Sequence, residues 1–226
     1  MKTFLSAALQ RIANKDFFVT NIEHQGAPLF SDLTFEDQSS KIVIIYGDNA
    51  SGKSLFSSII HSLARDEKIA VRSASMGNRT RSGIEKAFIF GDESQQSTGA
   101  TSVQVSKLCL NSMLKDDKLS LAILDEPDVG LSGFYAPAMG EYIANTLNNA
   151  DDKKGLILVS HSVPLITRFL EVINTDVSRF GINTDLPLED WLKRDDIATV
   201  DELFAMCDSG NSKETTIIRA ISNRDK

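Results

Sequence analysis

The fold is decided by the stretch KIVIIYGDNASGKS at residues 41–54. Residues 41–46 form a continuous β-branched run, which is typical of a strand buried on both faces of a sheet. Residues 47–54 match the pattern G-x-x-x-x-G-K-S, and the residues from 53 to 65 read as a helix. A strand, a glycine-rich loop and a helix in this order are the context that a phosphate-binding loop requires.

The residue types in this loop indicate how it would hold a nucleotide. The glycines allow backbone amides to close around phosphate oxygens, and the helix that begins near Lys53 points its positive end at them. Lys53 supplies a charge to the β- and γ-phosphates, and Ser54 offers a hydroxyl to Mg²⁺. The predicted nucleotide-binding residues are Gly47, Asp48, Asn49, Ala50, Ser51, Gly52, Lys53 and Ser54.

Two further apolar runs end in polar side chains. The run at 119–124 precedes Asp125 and Glu126, and the run at 155–160 precedes His161. Ligands sit at the carboxyl ends of strands in parallel sheets. We therefore predict that Asp125 holds Mg²⁺ and that Glu126 polarises an attacking water. His161 would donate to the developing charge on the γ-phosphate and orient Glu126. Without the phosphate loop, an Asp-Glu pair after a strand is equally well explained as a solvated turn.

Strands alternate with helices along the chain, which predicts an α/β fold with a largely parallel central sheet. Besides the three buried runs, strands are expected near 17–22, 29–35, 69–72 and 86–90, and helices at 101–115, 134–148 and 163–173.

Composition excludes several classes of protein. The chain has 226 residues and a net charge of −7, which argues against a surface that coats nucleic acid or anionic lipid as a whole. Only two cysteines occur, and the N-terminal apolar stretch is too short for a signal peptide. No apolar run reaches the roughly 20 residues that cross a bilayer. We expect a cytoplasmic protein without membrane insertion.

The phosphate loop, the Asp125-Glu126-Pro127 triplet and His161, in this order, resemble the Walker A, Walker B and switch histidine of an ABC-type ATPase. The resemblance implies a P-loop NTPase fold, ATP and Mg²⁺ as cofactors, and ATP hydrolysis in an ATP-dependent homodimer. It covers roughly residues 15–175. We therefore expect an ATPase core at 1–175 and a mostly helical extension at 176–226, packed on that core, with Trp191 as an anchor.

The same resemblance implies further site residues. Ser97 and Gly99 stand where the family has its signature motif, which would contact the γ-phosphate held by the other subunit. The alternative for Ser97 is a simple helix cap. Gln95 or Gln96 is the candidate for the glutamine that senses Mg²⁺, with Gln96 preferred as the metal residue. Phe17 is the candidate for stacking on adenine, although Phe17 and its neighbour Phe18 are also suited to core packing.

The chain also departs from the family's pattern. Only 71 residues lie between Lys53 and Asp125, which leaves no room for the large helical lobe of transporter subunits. The layout is closer to MutS-like, RecF-like and SMC-like ATPase heads. Residues 128–132 stand in place of the D-loop but lack its usual closing aspartate.

The sequence thus predicts a compact ABC-type ATPase that acts as a switch for a partner protein or DNA. The alternatives are a nucleotide-dependent scaffold with negligible turnover, a transporter subunit and a P-loop kinase. Arg72, Arg79, Arg81 and Lys86 form a basic cluster that suits nucleic acid or an acidic partner, or is merely a solvated loop.

Overall fold

The computed structural model describes residues 1–13, 33–75, 97–206 and 208. Its elements in chain order are α1 (Lys2–Ala13), β1 (Leu33–Glu36), β2 (Ile42–Tyr46), α2 (Lys53–Asp66), β3 (Ala70–Ala74), α3 (Thr98–Leu114), β4 (Ser120–Asp125), α4 (Ala136–Asn148), β5 (Lys154–Val159), α5 (Val163–Val172), β6 (Ser178–Ile182) and α6 (Leu188–Trp191). Residues 200–206 are helical as well. Within the described ranges, no helix is both long enough and apolar enough to cross a membrane.

The strands of the described residues form one six-stranded sheet in the order β1-β6-β2-β5-β4-β3. The pair β1 and β6 is antiparallel, and the other pairs are parallel. The predicted α/β class with a largely parallel sheet is confirmed. Val159 of β5 lies opposite Ile45 of β2 on one side and Asp125 of β4 on the other. The carboxyl ends of these three strands therefore lie level at one edge.

The core lies on both faces of the central strands. Every residue of β2, β4 and β5 is buried, as the unbroken apolar runs predict. On one face Val43 belongs to a cluster with Leu5 of α1 and Phe56 of α2. On the other face Ile44 belongs to a cluster with Phe169 of α5 and with residues of α3 and α4. Each such side chain contributes about 1.5–3 kcal/mol by leaving water.

The strand β6 corrects the expected domain boundary. A core that ends at residue 175 leaves Ser178–Ile182 outside, whereas the structure places this strand inside the sheet, between β1 and β2. Its apolar pattern is interrupted by Arg179 and Gly181, and Arg179 forms an ion pair with Glu36 of β1 at 3.0 Å. The segment after residue 176 is therefore part of the core rather than only a helical extension packed on it.

Helix α1 was not predicted, although Leu5, Ala8, Leu9 and Ile12 follow a helical spacing and are all buried. The predicted helices near 53–65, 101–115, 134–148 and 163–173 are confirmed within a few residues. The strands expected at 17–22 and 86–90 lie outside the described residues.

Two glycines provide a matched test of the packing between α4 and α5. A Cβ atom at Gly140 would lie 2.3 Å from the carbonyl oxygen of Leu165, while one at Gly133 would meet nothing within 4 Å. Gly140→Ala should destabilise the fold by about 1–3 kcal/mol, because the backbone of α5 must move. Gly133→Ala should change the free energy of unfolding by less than about 0.5 kcal/mol. Urea denaturation midpoints measure both, and equal midpoints for the two variants would contradict the described packing.

Candidate active site

The phosphate-loop sequence adopts an unusual backbone at three positions. Gly47 has φ +140° and Gly52 has φ +106°, and the non-glycine residue Ala50 has φ +58°. A Cβ atom at Gly47 would lie 2.4 Å from the carbonyl oxygen of Ile182, so the loop passes close to the end of β6. Positive φ and this close approach explain why the motif needs glycine at its ends.

Lys53 is held inside this loop. Its side chain is buried, and Nζ donates to the carbonyl oxygens of Gly47 at 3.0 Å and Asp48 at 2.7 Å. Burial lowers the pKa of Lys53, while the nearby carboxylates of Glu126 and Asp125 act in the opposite direction. The first residue of α2 thus brings a cation to the centre of the loop, as the motif predicts.

Asp125 and Ser54 bring two oxygen-bearing side chains together near Lys53. Asp125 is only 7% exposed, and burial raises its pKa although a hydrogen bond from the Ser54 hydroxyl favours the ionised form. Its Oδ1 atom is buried and has no hydrogen-bond partner among the described residues. A hydroxyl and a carboxylate with an unused oxygen fit Mg²⁺, which is usually held by one or two protein oxygens, water and substrate phosphates.

No group of three or more His, Cys, Asp and Glu side chains in the described part of the chain is arranged to hold a metal. Ser54 and Asp125 offer two oxygen donors, a number that suits an ion whose other ligands are water and substrate phosphates.

Glu126 and His161 meet at the ends of β4 and β5. Glu126 Oε1 lies 3.0 Å from His161 Nδ1, and the backbone N–H of Glu126 donates to the carbonyl oxygen of Val159 at 2.8 Å. Glu126 has φ +52°, a conformation that costs free energy in a non-glycine residue and is frequent at functional sites. The hydrogen bond lowers the pKa of Glu126 and raises that of His161. The predicted neighbourhood of Glu126 and His161 is confirmed.

Hydrogen bonds of Ser160 hold together the loops that carry Glu126 and His161. Ser160 Oγ lies 3.3 Å from Asp128 Oδ1 and accepts the backbone N–H of Ser162 at 2.9 Å. The contact with Asp128 joins the loop after β4 to the loop after β5, and the contact with Ser162 orders the loop after β5, so that together they position Glu126 and His161.

Ser97 and Gly99 lie at the start of α3, beside the loop after β4. Ser97 Oγ accepts the backbone N–H of Ala100 at 3.3 Å, so it caps the helix. A Cβ atom at Gly99 would lie 2.5 Å from the carbonyl oxygen of Gly130. Neither residue lines the cavity at the phosphate loop. Their predicted contact with the nucleotide of a second subunit stays a prediction.

Several predicted residues have no described placement. Phe17, Phe18, Arg79, Arg81, Lys86, Gln95 and Gln96 all lie outside the described residues. Arg72 lies on strand β3, as the strand expected near 69–72 predicts, and is paired with Asp116 at 3.3 Å and with Ser112 at 2.9 Å. It is thus engaged by α3 and the turn after it.

Residues after β6 contact the phosphate loop, which was not predicted. Asn183 Nδ2 donates to the carbonyl oxygen of Ser51 at 3.1 Å. Arg194 binds both carboxylate oxygens of Asp48, at 2.5 and 3.1 Å, and these bonds lower the pKa of Asp48. The guanidinium also lies 5.1 Å from the centre of the Trp191 ring. More than 130 residues separate each pair of partners in sequence, so no local pattern indicates these contacts.

A cavity of about 900 Å³ opens at this point. Its border includes residues 48–51 of the phosphate loop, His161 and Asn183. It also includes residues 196–199, 202, 203, 205 and 206 of the C-terminal segment. Residues 48–51 and His161 therefore face one common space.

Comparison of the chain with models of known protein families finds no match, and comparison with curated proteins finds none either. The case for a function therefore rests on the geometry of the site.

The pairing of Glu126 and His161 predicts a measurable pKa. His161 should titrate above the ordinary histidine value of 6.5, because Glu126 accepts a hydrogen bond from its imidazolium. The contribution of His161 to stability is fully present below that ordinary value while Glu126 is ionised, and it is lost as pH rises through the raised pKa of His161. In Glu126→Gln the pKa of His161 should fall, and in Asp128→Asn it should fall less, because Asp128 is the weakest contributor.

NMR titration of His161 in the wild type, Glu126→Gln and Asp128→Asn measures the three pKa values and therefore their order. A pKa of His161 that is the same in the wild type and in Glu126→Gln would show that the two side chains do not interact in solution.

Proposed function

We propose that the protein is an ABC-type ATPase, which binds ATP with Mg²⁺ at residues 47–54 and hydrolyses it. The observation that carries this proposal is the convergence of three contacts at one edge of the sheet. These are Lys53 inside the phosphate loop, Ser54 against Asp125, and Glu126 against His161. A phosphate loop alone suits any P-loop protein, but a paired glutamate and histidine beside it suit the activation of water.

Each side chain has a distinct role in this proposal. Lys53 and the backbone of the loop hold the β- and γ-phosphates. Ser54 and Asp125 would hold Mg²⁺, which neutralises charge on those phosphates when bound. Glu126 orients and polarises a water molecule whose oxygen attacks the γ-phosphorus while the bond to the β-phosphate oxygen breaks, so that ADP leaves. The lowered pKa of Glu126 keeps it ionised, as an acceptor of the water's proton must be.

His161 stabilises this arrangement. Its raised pKa favours the imidazolium, which donates to Glu126 and has a second N–H for the oxygens of the transferred phosphoryl group. His161 borders the same cavity as residues 48–51 of the phosphate loop, which supports contact with the γ-phosphate.

By the family resemblance, the cycle works as a switch in which two copies close on two ATP molecules and reopen after hydrolysis, with the output passed to a partner protein or DNA. A cytoplasmic location suits such a protein. The alternative is a nucleotide-dependent scaffold in which hydrolysis is only a slow reset, and the turnover rate of the wild type separates the two functions.

Glu126→Gln tests the catalytic role directly. The amide still hydrogen-bonds water but cannot accept its proton, so ATP affinity should persist while phosphate release falls by about 10²–10⁴-fold. We expect the ATP-bound variant to form a dimer in light scattering. Glu141→Gln, which alters a carboxylate paired with Arg168 on the surface, is the matched control and should hydrolyse ATP at the wild-type rate. Wild-type turnover in Glu126→Gln would remove Glu126 from the reaction.

A further inference from the structure

We propose that residues 194–206, named here the C-terminal strap, form an autoinhibitory contact that lowers the affinity of the site for ATP. This inference rests on the proposed ATP site. Arg194 and most residues from 196 to 206 border the cavity of about 900 Å³, as do His161 and residues 48–51 of the phosphate loop. The γ-phosphate is proposed to lie at His161, so the strap faces the terminal phosphate of the proposed ligand.

The charges around this cavity oppose a phosphate. The charged side chains that border it are Asp48, His161, Arg194, Asp196 and Glu202. Arg194 is bound to Asp48 and His161 to Glu126, so both cations are already paired with carboxylates. Asp196 and Glu202 add two negative charges beside the space that the γ-phosphate would enter. Like charges that share a partly enclosed site repel each other more strongly than they do in open solvent.

Arg194 holds the start of the strap at the phosphate loop. Its guanidinium donates to both carboxylate oxygens of Asp48 and lies 5.1 Å from the centre of the Trp191 ring. Trp191 is buried and packs against Tyr46 of β2, with ring centres 5.6 Å apart. A bidentate pair of this kind is directional, so the strap begins at a defined position beside the loop. Arg194 is also the only basic residue between 194 and 206, so the strap brings no second cation to the phosphates.

The two carboxylates of the strap at the cavity differ in how they are held. Glu202 accepts hydrogen bonds from the backbone N–H of Thr199 at 2.7 Å and from its hydroxyl at 2.8 Å, and its own N–H donates to Thr199 Oγ1 at 3.3 Å. These bonds form a capping box for the helical residues 200–206 and lower the pKa of Glu202, so it stays ionised. The Asp196 side chain is 74% exposed, and its Oδ1 atom lies 4.0 Å from Nε of Arg194.

Beyond Arg194 the strap is weakly held, so it can be displaced. Residues 195–205 are all exposed. Within the described part of the chain, the hydrogen bonds of residues 197–206 lie inside this segment itself. Segments that bury little surface open at a low cost in free energy. Because binding linkage is reciprocal, lifting the strap would raise the affinity for ATP by the same factor by which ATP favours the lifted strap.

A pair of double substitutions tests the strap. Asp196→Asn/Glu202→Gln removes both charges at the cavity and keeps the capping box, which accepts glutamine as well as glutamate. Calorimetry with Mg²⁺ should show an affinity for ATP that is about fivefold or more above that of the wild type. The gain should be smaller for ADP, which lacks the γ-phosphate. Asp195→Asn/Asp201→Asn removes the same charge from strap residues that do not border the cavity, and should change ATP affinity by less than about twofold.

A double-mutant cycle tests the attachment through Arg194. In an Arg194→Gln background, the same neutralisation of Asp196 and Glu202 should give a clearly smaller gain in ATP affinity, because the strap is no longer held at the loop. Any effect of exposing Asp48 is common to both members of this comparison and cancels. An equal gain with and without Arg194 would show that the two charges act without being held at the loop, and would overturn the strap.

The outcomes separate the strap from the ATP site. Unchanged or weaker ATP affinity in Asp196→Asn/Glu202→Gln, or an equal gain for ATP and ADP, would overturn the strap while leaving the proposed ATPase intact. Failure of both the wild type and the neutralised variant to bind ATP would overturn the proposed function and the strap with it.

Discussion

The candidate site depends on the parallel pairing of β2, β5 and β4. Ile45, Val159 and Asp125 share one level across the three strands. Two backbone bonds continue this pairing past the strand ends, from Ser160 N–H to Ile45 O at 3.2 Å and from Glu126 N–H to Val159 O at 2.8 Å. A shift of one residue in either pairing would turn the alternate side chains to the opposite face. Because each face packs into its own apolar cluster, such a shift would disturb both clusters, and the observed register keeps the site residues together at one edge.

The charges of the site balance one another. Lys53 is buried beside Asp125 and Glu126, and its own burial opposes its charged form. Asp125 has the same difficulty, since burial favours its neutral form too and one of its oxygens has no hydrogen-bond partner in the described residues. A divalent cation at Ser54 and Asp125 would favour the ionised carboxylate, while phosphates at the loop would favour the ammonium. The ligands of the proposed reaction thus supply the charges that the buried groups lack.

Much of the fold and of the site could be predicted because the decisive signals are local. The three apolar runs each predict a buried strand, and the residues that follow them predict the contact of Glu126 with His161. Strand β6 was missed because Arg179 and Gly181 break its apolar pattern, although its place is beside β2.

The contacts of Asn183 and Arg194 with the phosphate loop could not be predicted, because they join residues that are distant in sequence. The partners of Arg72 could not be predicted for a related reason. The strand at this position was expected, but the pairing of Arg72 with Asp116 depends on how α3 packs beside β3. Tertiary packing, rather than any local pattern, decides such contacts.

The central claim is that the loop at 47–54 holds the phosphates of ATP through Lys53. Calorimetry with ATP and Mg²⁺ on Lys53→Ala tests it most directly, with Lys118→Ala, an exposed lysine far along the chain, as the control. Removing a buried ammonium that pairs with phosphate should cost about 2–5 kcal/mol of binding free energy. The account predicts that Lys53→Ala loses tight ATP binding while Lys118→Ala keeps it. Equal affinity for ATP in the wild type and in Lys53→Ala would contradict the account.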